Sequence, residues 1–114
     1  MMSSLKDVEK SLLKGMLDLV VLDYLHVEPM HGYQLITTIR QDFHVYFGAS
    51  TVYPLLSALE AKKYIASRWD LSNDRPKKVY TLTPEGDKLR DFTERSLNQI
   101  VQKLTRNSLI EVRA

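Results

Sequence analysis

The sequence predicts a mainly α-helical domain with a small β-hairpin set before one long C-terminal helix. Three observations carry this expectation. Apolar residues recur at helical spacing as far as about Lys63, the pattern then turns strand-like up to Leu82, and a proline-initiated helical pattern fills the remainder. With 114 residues, 44% of them hydrophobic and 26% charged, the chain has the balance of one globular domain rather than of a disordered segment.

A first helix is expected from about Ser4 to His26. Its apolar positions, from Val8 through Leu12, Leu13, Met16 and Leu17 to Leu25, cover more than one face, so it should be buried on more than one side. In so small a chain the second side is expected to meet another subunit, with Leu12 and Met16 in the contact. Pro29 ends this element, because the residue before a proline resists helical backbone. A second helix is expected over about His31 to Asp42, with Tyr33, Ile36 and Ile39 spaced by three and Leu35 beside them. In the turn that follows, Tyr46 and Phe47 are expected in the core. The third helix starts between Ala49 and Thr51 and reaches about Lys63. Val52, Leu55, Leu56 and Leu59 form the stripe of a half-buried helix, and Ser50, Thr51, Tyr53, Ser57 and Lys62 occupy the other face. Pro54 costs about one hydrogen bond so near the start, where the first amides lack internal partners.

Tyr64 to Asp70 and Lys77 to Leu82 are rich in β-branched and aromatic residues, and the run from Leu71 to Pro76 between them has strong turn chemistry. A hairpin is expected. Thr83-Pro84-Glu85-Gly86 then reads as a capped helix start with proline in the first position. That last helix should run to about Asn107, roughly 36 Å at 1.5 Å per residue. Helix, helix, turn, helix and hairpin in this order is the winged helix-turn-helix plan. The expected organisation is a winged domain over residues 1–83 and a C-terminal helix over residues 84–114.

The net charge of +2 is too small to identify a polyanion binder, but its distribution is informative. From Met1 to Leu59 four bases face six acids, whereas from Lys62 to Lys78 six bases face two acids. Positive charge gathered in one stretch is the mark of a contact surface. With no cysteine in the chain, disulfides, thiolate metal sites and cysteine nucleophiles are excluded. No apolar run approaches the ~20 residues of a membrane span. The N-terminal stretch MMSSLKDVEK lacks a signal-peptide core, so a cytoplasmic location is expected. His31 is expected to cap its helix, and His26 and His44 have no carboxylate at ligand spacing, so neither a metal nor another cofactor is assigned. No phosphate-binding glycine loop, serine triad or paired-acid site is present, and an enzyme is not expected.

The third helix and the hairpin point instead to duplex DNA. A helix fits the major groove and meets base edges and phosphates with its N-terminal residues. Ser50, Thr51 and Tyr53 bring hydroxyls there, and free backbone amides at that end favour phosphate. The hairpin tip carries Arg75, Lys77 and Lys78 around Pro76, a basic finger for the neighbouring backbone or minor groove. A short basic run by itself is usually a solvated turn; its position behind a helix-turn-helix gives it meaning.

Several tracts carry a family likeness: Leu12-Leu13-Lys14-Gly15-Met16-Leu17-Asp18-Leu19, Pro29-Met30-His31-Gly32-Tyr33-Gln34-Leu35, Ser50-Thr51-Val52-Tyr53-Pro54-Leu55-Leu56, and Arg75-Pro76-Lys77-Lys78-Val79-Tyr80-Thr81-Leu82-Thr83-Pro84-Glu85-Gly86. The chain resembles the PadR family of transcriptional regulators in its shorter form with one C-terminal helix. The resemblance implies a dimeric winged-helix DNA binder, usually a repressor. It implies DNA contacts from Ser50, Thr51, Tyr53, Arg75, Lys77 and Lys78, and subunit pairing through the first and last helices. Some members of that family bind planar aromatic effectors between subunits, which makes a small aromatic effector a candidate partner. Trp69 is a candidate lining residue for it, although packing under the wing is the expectation for that side chain. One departure is Asn73-Asp74, where the family's wing turn more often has glycine; the tip conformation is therefore open.

The last helix supports pairing without the family. Leu89, Phe92, Leu97, Ile100, Val101 and Leu104 form an apolar stripe that a small domain can hardly cover alone. Burial against a second subunit is expected, and folding back on its own domain is the rival. A homodimer presenting two reading helices about 34 Å apart matches a near-palindromic site. The competing functional class is a winged-helix protein-interaction module whose basic wing meets an acidic partner.

Overall fold

The computed structural model describes residues 4–113, with side chains described over residues 4–106. Residues 1–3 and residue 114, the outer ends of the two expected units, lie outside the described residues. Helix α1 (Leu5–Gly15) begins in a capping box: Ser4 Oγ accepts from the Asp7 amide at 3.1 Å, and Asp7 Oδ2 accepts from the Ser4 amide at 3.4 Å. The single helix expected from Ser4 to His26 is broken at Met16, whose φ of −109° and ψ of 6° leave helical geometry, and α2 (Leu17–Val27) follows. The Met16 amide bonds the Leu13 carbonyl at 3.0 Å in a tightened last turn. Gly15, with its low helix propensity, explains where the break falls. The two pieces differ in character. α1 buries Leu13, whereas α2 buries Leu17, Val20, Val21, Leu22 and Leu25 and forms the centre of the core.

A two-residue strand absent from the sequence expectation, β1 (Met30–His31), leads into α3 (Gly32–Phe43). His31 caps that helix, as expected, with Nδ1 accepting from the Gln34 amide at 3.3 Å. The buried set of α3 is Gly32, Leu35, Ile36 and Ile39. This i, i+3, i+4, i+7 stripe starts at the glycine, so Tyr33, read from its spacing as part of the apolar stripe, stands 68% exposed. In the turn after α3, Val45 and Phe47 are buried, but Tyr46 is exposed, contrary to its expected core position. Alternate residues of an extended segment point to opposite sides, and Tyr46 takes the outer one, 5.7 Å below the Arg40 guanidinium.

Helix α4 (Ala49–Ala61) ends in a Schellman turn: the Lys63 amide bonds the Glu60 carbonyl at 2.9 Å and the Tyr64 amide bonds the Leu59 carbonyl at 3.0 Å, with Lys63 at φ 65°. Strands β2 (Ile65–Asp70) and β3 (Lys77–Leu82) pair antiparallel, from Ile65 opposite Leu82 to Asp70 opposite Lys77. β1 adds to the far edge of β3, so the expected hairpin is a three-stranded sheet in the order β1-β3-β2.

Helix α5 (Pro84–Arg113) continues past the expected end near Asn107. Thr83 caps it: Oγ1 accepts from the Gly86 amide at 3.0 Å and donates to the carbonyls of Lys63 and Tyr64. Near its start Leu89 packs on the core, and Arg90 bonds Asp87 at 2.9 Å and Glu94 at 3.1 Å while lying 3.9 Å from Asp23 of α2. The first part of α5 thus folds back on its own domain, as the rival reading has it, and the rest projects. The molecule accordingly measures 63 Å along its longest axis and 21 Å along its shortest. Among the described residues no helix is long and apolar enough to cross a membrane.

The close approach of α5 to the α4–β2 turn depends on Gly86, where a Cβ would lie 1.9 Å from the Tyr64 carbonyl oxygen. Gly86→Ala is expected to destabilise the fold by about 1–3 kcal/mol, read as a lowered midpoint in thermal or urea unfolding. An unchanged midpoint would show that α5 can shift away without loss.

Candidate nucleic-acid interface

The site is built on α4. Val52 and Leu56 are fully buried and Leu59 nearly so, which fixes the helix by one stripe. On the opposite side Ser50, Tyr53, Ser57 and Lys62 are exposed and Thr51 is half-buried, as the sequence expectation places them. Gly48 precedes the helix, and its carbonyl accepts from the amides of Thr51 and Val52 at 3.1 and 3.0 Å. Pro54, in the second turn of the helix, has no amide hydrogen to offer the Ser50 carbonyl four residues earlier.

Tyr53 owes its position to another element. A Cβ on buried Gly32 would lie 2.5 Å from the Tyr53 ring, so the glycine at the head of α3 gives the ring its place. The two most distinctive sequence tracts, at His31–Tyr33 and at Thr51–Pro54, therefore meet in space. Tyr53 also lines a cleft of about 380 Å³ with His31, Tyr33, Pro76, Lys77 and Lys78, which joins α4 to the tip end of β3.

The wing tip needs no glycine. Ser72 donates to Asp70 Oδ1 through its amide at 3.0 Å and through its hydroxyl at 2.6 Å. Among the described residues a positive φ occurs at His44 and Lys63, and none falls within the tip. Asn73 and Asp74 can therefore stand where the family more often has glycine. Arg75 and Lys77 are exposed, and neither has an ion-pair partner among the described residues. Lys78 is different: its ammonium sits 3.2 Å from Glu60 of α4. Glu60 also accepts a hydrogen bond from Ser67 of β2, so one carboxylate holds both strands of the wing against the helix. The Ser67 hydroxyl first, and the Lys78 ammonium after it, keep the Glu60 carboxyl below its ordinary range despite partial burial.

Several neighbours of this surface are not signalled by the sequence reading. Lys10 and Lys14 of α1 line a cleft of about 380 Å³ with Tyr46, Gly48, Ser50 and Thr51 at the start of α4. Their distance from α4 in sequence hides them; a four-residue spacing on one helix face is the only local sign. Tyr33 joins Tyr53 because the α3 stripe begins one residue earlier than its spacing suggests. Trp69, expected to pack beneath the wing, is 63% exposed on β2, beyond the reach of the core.

The residues expected at a subunit contact divide in two. Leu12, Phe92, Ile100, Val101 and Leu104 are exposed, while Met16, Leu89 and Leu97 are half-buried within this chain. An apolar cleft of about 340 Å³ runs between them, walled by Met16, Leu19 and Leu22 on one side and Leu89, Leu97 and Ile100 on the other.

A reading helix seated on one stripe, with a basic wing tied to its flank, is the architecture of a winged-helix transcriptional regulator. The chain belongs to the PadR-like family of transcriptional regulators, whose family model matches residues 21–92. Among solved structures it is similar to a PadR family regulator from Eggerthella lenta, at 30% identity over 88% of this chain and 91% of that one, with a TM-score of 0.76. It is also similar to a Streptococcus transcriptional regulator, at 32% identity over 82% of this chain and 92% of that one, with a TM-score of 0.71. The fold is shared with Bacillus subtilis PadR, solved in complex with operator DNA, at 24% identity over 67% of this chain and 44% of that one, with a TM-score of 0.62. No curated protein matches the chain.

The Glu60 tie carries a pH dependence of known sign. A carboxyl held below its ordinary value stabilises the fold above the unfolded-state pKa, and the contribution is lost as pH falls through the folded-state value. Amide-exchange protection in β2 and β3 is expected to drop on acidification more steeply in the parent than in Glu60→Gln. Parallel profiles would mean that the tie contributes nothing to the wing.

Proposed function

We propose that this regulator binds near-palindromic duplex DNA as a homodimer in the cytoplasm and represses transcription there. In this reading α4 enters the major groove, with Ser50, Thr51, Tyr53 and Ser57 toward bases and phosphates and Lys62 toward the backbone. Arg75 and Lys77 grip the backbone beyond the groove, and Lys78 lends its charge while paired with Glu60. Lys10 and Lys14 add positive charge on the opposite side of α4. The observation that carries the reading is the shared cleft of Tyr53, Lys77 and Lys78, which places the helix face and the basic wing on one continuous surface. The operator complex of Bacillus subtilis PadR supports it by analogy of fold.

Pairing is supported by the exposed apolar residues that α5 carries past its docked start, Phe92, Ile100 and Val101, together with Leu12 on α1. Apolar surface of this kind gains about 25 cal/mol per Å² when covered, and a second copy has the matching stripe. We assign a planar aromatic effector, where one acts, to the cleft between α2 and α5, whose 340 Å³ is within the range of small-molecule sites.

Binding is tested with duplex from upstream of the protein's own coding sequence, competed by unrelated DNA. Tyr53→Ala is expected to weaken specific binding by about tenfold or more while the protein stays folded at the assay temperature. Arg75→Ala with Lys77→Ala should reduce the log-log salt slope by about 0.9 for each of the two contacts. An unchanged slope would remove the wing from the interface. Light scattering on the parent should return twice the 13.2 kDa chain mass, and Phe92→Glu with Ile100→Glu should return the single mass. A parent that stays at one chain mass would reject the dimer.

A further inference from the structure

Trp69 is the chain's single tryptophan and is not used by the core or by the reading helix. Its direction follows from the strand. Side chains at 65, 67 and 69 share one face of β2, and Ser67 donates to Glu60 of α4, so that face looks toward α4. The cross-strand partner agrees. Trp69 pairs directly with Lys78 on β3, and paired residues stand on the same face. Lys78 reaches Glu60 at 3.2 Å and lies 5.8 Å from the Tyr80 ring centre. Trp69 therefore stands on the inner wall of the wing, one step nearer the tip than the Glu60 tie, with its indole largely in water.

In a complex with α4 in the major groove and the wing on the flank, the sugar–phosphate strand that separates the two grooves passes between them. We propose that Trp69 packs its indole face on a deoxyribose of that strand and donates its Nε1–H to an adjoining phosphate oxygen. The indole has the needed pairing of a broad apolar face and one donor. Lys78 beside it, although paired with Glu60, brings a cation to this face, and the same Lys78 lines the cleft with Tyr53 and Lys77. This inference rests on the DNA-binding reading and names an uncharged contact within it.

A single tryptophan makes the test direct. The full-length protein is titrated with the upstream duplex while Trp69 emission is followed, and binding is measured independently by anisotropy of the same duplex carrying a fluorescein. Trp69 emission is expected to change along the anisotropy isotherm. Trp69→Ala should weaken binding about tenfold, and Trp69→Phe, which keeps a ring face but loses the Nε1 donor, should fall between it and the parent. The salt slope of Trp69→Ala should equal that of the parent, because no charged contact is lost. A wing that had merely collapsed would also release Arg75 and Lys77 and lower the slope, which would overturn the proposal. Full anisotropy binding with unchanged emission, or with unaltered affinity in Trp69→Ala, would overturn it and leave the DNA reading intact. A Trp69→Ala protein reduced to one chain mass would reassign the indole to a subunit contact. No anisotropy change with the parent at low salt would overturn the DNA reading and this inference together.

Discussion

The rotational setting of α4 about its own axis is the constraint from which the rest of the surface follows. Val52, Leu56 and Leu59 lie in the core, and each such side chain contributes about 1.5–3 kcal/mol relative to exposure. Turning the helix to bring Ser57 inward would expose that stripe and bury a hydroxyl, a change no surface contact offsets. With 3.6 residues per turn, a fixed inner stripe fixes the outer one. Two side contacts then extend the setting to neighbouring elements. The Tyr53 ring lies over Gly32 at the head of α3, and Glu60 reaches both strands of the wing. Helix, turn and wing are thereby held in one frame.

Charge is sorted over this frame in a way the total of +2 conceals. Bases gather around α4 and the wing: Lys10, Lys14, Lys62, Arg75, Lys77 and Lys78. The other side, between α2 and α5, carries Asp23, Asp42, Asp87 and Glu94 around Arg90 and Tyr24. Tyr24 donates to Asp42 at 2.6 Å, and burial together with that carboxylate pushes its phenol well above the ordinary range. The basic side is not free of acids: Asp70 and Asp74 sit on the wing, and Glu60 of α4 faces it with Lys78 at 3.2 Å offsetting its charge. A polyanion approaching α4 meets a surface on which bases outnumber acids and the Glu60 carboxylate is already paired.

Helix α5 has two roles along its length. Its start belongs to the domain, through the Thr83 cap, Leu89 on the core and the Arg90 contacts. Farther on, Phe92, Ile100 and Val101 face water in this chain. Thr83 also holds the carbonyls of Lys63 and Tyr64, so the docked start of α5 is tied to the turn between α4 and β2.

Sequence by itself determined the run of helices before a hairpin and a long last helix, the inner and outer faces of α4, the hairpin with its basic tip, the His31 and Thr83 caps and the family. All of these depend on periodicity or on residue preferences that act over a few neighbours. The added strand β1, the exposure of Tyr33, Tyr46 and Trp69, and the pairing of Lys78 with Glu60 were decided by tertiary structure. Spacing cannot tell whether a stripe begins at Gly32 or Tyr33, since a glycine carries no hydrophobic signal. Nor does a local pattern bring Lys14 to Ser50 or Glu60 to Lys78. Contacts between residues distant in the chain exist only once the core has set the helices against one another, and the candidate surface depends on several of them.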